Sequence, residues 1–123
     1  MIGKSTNEIE SSVSTMMIQF LEIYLGEKPA QVSTKVMGNN IIVRIKGILQ
    51  PAERHMMRNK EGENLIKELK NKLIEMEEPL LEETIAKLIG AEVVDIYSTF
   101  DAETGERIEI FTLTEDLEKL REA

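Results

Sequence analysis

The sequence predicts an α+β fold: a two-layer sandwich made from a pseudo-duplicated α-β-β unit, with a four-stranded antiparallel sheet backed by helices, one of them long and kinked at a proline. Three observations carry this expectation. Helical hydrophobic spacing gives way to β-branched hairpins twice along the chain. Each helical pattern stops at a glycine, Gly26 and then Gly90, as helices that end in a left-handed residue do. A chain of 123 residues is long enough for one core and too short for two, so residues 1–123 are expected to form a single α+β domain.

The elements follow in order. Ser5 and Glu8 have the spacing of a capping box, and Ile9, Val13, Met16, Met17, Phe20 and Tyr24 recur at helical intervals, which predicts a first helix over 6–25. Pro29 disfavours helix in the residue before it, and strands over 31–37 and 41–46 follow. Taking Asn39 and Asn40 as the loop sets Val36 against Val43 and Thr34 against Ile45 on a core side. Lys35 then meets Arg44, and Ser33 meets Lys46, on a basic side. This completes the first unit, over about 6–46.

Pro51, placed where a missing N–H costs nothing, opens a short helix over 52–59. The second unit, over about 63–113, begins with a long helix to Ile89. Its apolar residues Ile66, Leu69, Leu73, Met76 and Leu80 step by three and four, then resume one position later at Leu81, Ile85 and Leu88. Pro79 sits at the shift, which predicts a kink or a split there. A hairpin over 91–100 and 107–113 follows, with both faces covered or its register shifted by a bulge at Gly105. Thr114 is placed to cap a last short helix over 115–121.

Composition bounds the function. The 23 acidic and 15 basic side chains give a net charge of −8, which opposes nucleic acid and anionic lipid. Without cysteine there is no disulfide or thiolate chemistry, and a reducing, cytoplasmic setting is expected. The longest uncharged stretch near the start, 11–21, is too short to span a bilayer and has no basic segment before it, so neither an anchor nor direct membrane insertion is expected.

Reactive groups are sparse. His55 is the only histidine, and Glu53, two positions away on a helix, does not naturally face the same site. Glu77, Glu78, Glu82 and Glu83 form the densest acidic run, but neighbours on a helix splay around it, so a solvated face is expected rather than a metal site. Asp95 and Tyr97 share a strand face without making a mechanism, and the glycines are too isolated to cradle a phosphate. No catalytic residue, cofactor or metal is expected.

Two features point to partners instead. Lys35, Arg44 and Lys46 gather on one hairpin face of an acidic chain, a candidate docking surface for an acidic partner or a small anion, with Glu109 as a carboxylate that would relieve them. The stripe Ile66, Leu69, Leu73, Met76 and Leu80 is a candidate dimer helix, since a straight helix over 63–89 would be about 40 Å long at about 1.5 Å per residue. That exceeds the span of a compact chain this size, so part of the helix is expected to project.

The segments Gly47-Ile48-Leu49-Gln50-Pro51-Ala52-Glu53, Glu61-Gly62, Leu88-Ile89-Gly90, and Thr104-Gly105 followed by Ile110-Phe111-Thr112-Leu113 together resemble the MpsC-like family of small bacterial and archaeal proteins. The resemblance covers nearly the whole chain. It implies association with a membrane-potential-generating, inorganic-carbon uptake system whose integral subunits resemble ion-translocating subunits of respiratory complexes. Gly47, Pro51, Glu53 and Gly62 match as fold determinants, and no catalytic residue carries over. The sequence thus predicts a non-enzymatic cytoplasmic accessory or regulatory protein, homodimeric, held at the inner face of the membrane through a protein partner. The alternative is a sensor of small anions or metabolites using the basic hairpin face.

Overall fold

The computed structural model describes residues 5–118. Helix α1 (Thr6–Leu25) starts at the expected capping box, in which Glu8 N–H donates to Ser5 Oγ at 3.1 Å and Ser5 N–H to the Glu8 carboxylate at 3.3 Å. It stops at Gly26, whose φ of 64° closes the last turn. Strands β1 (Gln31–Met37) and β2 (Asn40–Lys46), helices α2 (Pro51–Met56) and α3 (Lys60–Ile89), and strands β3 (Val93–Asp101) and β4 (Glu106–Leu113) complete the order.

The four strands form one antiparallel sheet in the order β1-β2-β4-β3. The second strand of each hairpin lies in the middle and the first at an edge. Residues of alternate parity on β2 and β4, including Ile41, Val43, Ile45, Phe111 and Leu113, are buried with Val13, Met17 and Leu21 of α1 and Leu81, Ile85 and Ile89 of α3. One sheet face is therefore core. Truncating a fully buried member such as Phe111 costs about 3–5 kcal/mol.

The first hairpin turns at Gly38-Asn39, not at Asn39-Asn40. Gly38 supplies the positive φ, 61°, that the first position of a two-residue loop needs, and Asn40 is freed to pair as part of β2. Every pairing moves by two residues: Val36 faces Ile41, Thr34 faces Val43, Lys35 faces Ile42 and Arg44 faces Ser33. Parity survives, so the core and basic faces are as expected, but the direct opposition of Lys35 and Arg44 does not form.

In the second hairpin the irregularity lies between Val93 and Asp95 rather than at Gly105, leaving Val93 in the core and Val94 exposed. Phe111 and Leu113 point inward; Ile108 and Ile110 lie on the outer face beside Thr99 and Tyr97. The expected C-terminal helix lies in part outside the described residues. Of those described, Leu117 is buried and donates its N–H to Gly38 O at 3.0 Å, sealing the first turn.

Helix α3 runs unbroken through Pro79 for 30 residues, so the expected split is absent. Nor does it project: Gly62, Ile66, Lys70, Ile74, Glu77, Leu81, Ile85 and Ile89 bury one residue in nearly every turn from end to end. Its first turn is seated closely. Asn59 Oδ1 caps it by accepting from Gly62 N–H at 2.8 Å, and a Cβ on Gly62 would overlap the carbonyl of Met56 at the end of α2.

Candidate functional site

The inward stripe of α3 holds the first surprise. Two of its positions carry charge, Lys70 and Glu77, and both are buried. Lys70 Nζ donates to Glu27 at 2.7 Å, on the connector after α1, and lies 3.1 Å from Glu53 of α2. Glu77 pairs with Arg107 of β4, which also holds Glu109 two residues along the same strand. Ser98 of β3 donates to the other Glu109 oxygen. Each cation thus serves two carboxylates, and Glu27 Oε1 and Glu77 Oε2 have no protein partner among the described residues.

Burial dominates the ionisation of this group. It pushes the Glu77 and Glu109 carboxyls above the usual glutamate range, against the pull of Arg107. Burial also disfavours the charged guanidinium, yet the facing Glu109 and Glu77 outweigh that and raise Arg107 further. Glu27 also repels Glu77, so the two clusters on α3 act on one another. The group ties α1, α2 and α3 to β3 and β4.

The remaining sequence candidates disperse. His55 is exposed in a shallow cleft with Arg58, Glu61 and Leu65, while Glu53 turns inward to Lys70. Of the acidic run, Glu77 is interior, Glu82 and Glu83 are exposed, and Glu83 pairs with Lys87 at 3.0 Å. Among the described residues no group of acids or histidine is placed to hold a metal ion.

Lys35, Arg44 and Lys46 all lie on the outer sheet face and are exposed. The carboxylate that meets them is Glu106, not Glu109. Glu109 has the parity of the buried face, whereas Glu106 has that of the outer face and accepts from Arg44 Nε at 2.7 Å. The Arg44 bond and charge, with Lys46 nearby, hold the Glu106 carboxyl below its usual range despite some desolvation.

The candidate dimer stripe divides. Ile66, 2% exposed, belongs to the protein's own core and is not available to a partner. Leu69, Met76 and Leu80 are exposed and Leu73 is half-buried; Leu65, also exposed, extends the row. The apparent shift of the apolar pattern at Pro79 is thus a passage between two neighbouring stripes, outer and inner. Lys70 and Glu77 disguised the inner one, and their three-and-four spacing with Ile66, Ile74, Leu81 and Ile85 was the signal available to find it.

Helices α1 and α3 run antiparallel. Leu88 borders Ser12 to Gln19, Thr84 borders Phe20 and Tyr24, and Lys70 reaches Glu27 just past the end of α1. Since α1 has 20 residues and α3 has 30, the first half of α3 extends beyond α1. Leu65, Leu69 and Leu73 of the bare stripe lie on that half, and Met76, 68% exposed, and Leu80 follow it, with Ile23 and Tyr24 exposed at the end of α1.

Comparison with known proteins gives one consistent answer. The family model described as MpsC, Na+-translocating membrane potential-generating system, matches residues 5–115. The uncharacterized protein YbcI of Bacillus subtilis (strain 168) is 38% identical over 116 residues, 94% of each chain. No solved structure matches.

Proposed function

The chain belongs to the MpsC family, which ties its role to the Na+-translocating membrane potential-generating system, and on that premise we propose a non-enzymatic accessory protein that docks on a partner protein of this system through the outer stripe of α3. The observation that carries the reading is the row Leu65, Leu69, Leu73, Met76 and Leu80, mostly exposed on a helix whose other apolar stripe is already buried. Large apolar side chains aligned along about four turns cost solubility unless a partner covers them. The row lies along one face of a continuous helix, so its occupant is an amphipathic helix or apolar helical face of the partner.

No helix among the described residues is long and apolar enough to cross a membrane, and attachment through a protein accommodates that. The decisive experiment is capture of the tagged protein from its native cell after cross-linking. The double variant Leu69→Glu, Met76→Glu is expected to lose a membrane-protein partner by about tenfold or more while keeping its helical circular dichroism. Undiminished capture would end the proposal.

A further inference from the structure

The outer face of the sheet is independent of the α3 stripe, and it is divided by charge. Register pairs Gln31 with Lys46 and Glu106 with Asp101, and one step beyond the Ile45–Arg107 pair the β2–β4 ladder brings Lys46 and Glu106 into the same row. The next rows are Ser33, Arg44, Ile108 and Thr99, then Lys35, Ile42, Ile110 and Tyr97, then Met37, Asn40, Thr112 and Asp95. Every cation of this face lies on β1 or β2, and every carboxylate on β4 or β3. Between them Ile42, Ile108 and Ile110 make an apolar centre flanked by Tyr97, 60% exposed.

We propose that this face is the interface of a homodimer, two sheets packed face to face about a two-fold axis parallel to the strands and passing between β2 and β4. Such an axis lays β2 of one copy over β4 of the other, and β1 over β3. Lys46 then faces the partner's Glu106, Ile42 faces the partner's Ile110, and Lys35 lies over the partner's Tyr97 beside the partner's Asp95. Because the operation is a two-fold, each contact occurs twice. An axis across the strands would instead set the basic β2 over the same strand of the second copy. A random outer face gives no such preference; segregation by strand selects a second copy over an unrelated occupant. Four strands at about 4.8 Å and about 25 Å of strand length offer about 500 Å² from each copy, near the lower limit for a specific interface. The dimer is accordingly expected to be micromolar and sensitive to salt.

The test uses two variants of the full chain and sedimentation equilibrium at low salt. The protein itself is expected to dimerise at about 100 μM or below. Lys46→Glu and Glu106→Lys are each expected to raise the dissociation constant about tenfold or more. Mixed in equal amounts they are expected to associate again, because both contacts of the mixed dimer join unlike charges. Should Glu106→Lys not fold, Lys46→Glu must still weaken the dimer more than Lys46→Gln. A wild-type monomer at about 100 μM, or a dimer indifferent to these changes, would overturn the proposal; the second outcome would point to association through α3.

Discussion

One strand of this protein carries the same ion pair in two environments. On β4, Glu106 faces outward to Arg44 at 2.7 Å, and three residues later Glu109 faces inward to Arg107 and, through it, to Glu77. Chemically the partners are alike, yet the glutamates respond in opposite directions: Glu106 is held below its usual range and Glu77 and Glu109 are pushed above theirs. In water a guanidinium nearby is enough to favour the carboxylate. In the interior the lost hydration outweighs one guanidinium shared between two acids. Opposite charge at short range is therefore no measure of stabilisation until solvent has been counted.

The comparison can be broken most severely at its inner end. Arg107→Met removes the only cation paired with Glu77 and Glu109 among the described residues and is expected to destabilise the fold by about 3–5 kcal/mol, read as a fall in the urea midpoint at neutral pH. Lys70→Met should act in the same direction by stranding Glu27 and Glu53.

A smaller effect sharpens it. A raised carboxyl pKa means that the folded protein keeps its proton over an interval in which the unfolded chain has released it. Stability should therefore decline as pH rises from the ordinary value of 4.5 through the raised ones, and the thermal midpoint is expected to be lower at about pH 8 than at about pH 5. Glu77→Gln leaves Arg107 with one acid and should flatten this dependence while costing little stability at neutral pH. An unchanged slope would show that Glu77 is not the responsible group.

The smallest effect belongs to the outer pair. Arg44→Ala, in the monomer at moderate salt, is expected to leave the thermal midpoint within measurement error, as exposed pairs usually do. The loss of Glu106's favourable partner appears only as an upward drift of that carboxyl in a titration followed by NMR.

The same inner face marks where sequence reasoning succeeds and where it stops. Caps, glycine stops and alternating strands are local signals, and they place α1, both hairpins and the open sheet within a few residues. Face parity in the first hairpin was legible because a two-residue error leaves it intact. The pairing itself was not, since Asn39-Asn40 and Gly38-Asn39 are both good loops by residue type; the turn formed has Gly38 at positive φ and is closed by Leu117 N–H and Leu113 N–H donating to the Gly38 and Asn39 carbonyls. The buried charges were hidden because a lysine or a glutamate in a helix reads as surface unless the opposite charges that meet it are known. For Lys70 and Glu77 the partners are Glu27 and Glu53 and, in turn, Arg107, all distant in the chain. Misreading positions 70 and 77 also merged two stripes of α3 into one and placed Ile66 on the wrong side.

Gly62 carries this long-range dependence to the end of the helix. The carbonyl at the close of α2 rests where a side chain would otherwise be, and α2 is the element that brings Glu53 to Lys70. Adding a single methyl group at residue 62 would lift that short helix like a lever. The lysine two turns further on would lose one of its two acids without any change to an ionisable residue. Tolerance to mutation in this fold is thus set in part by a spot with no charge and no side chain at all.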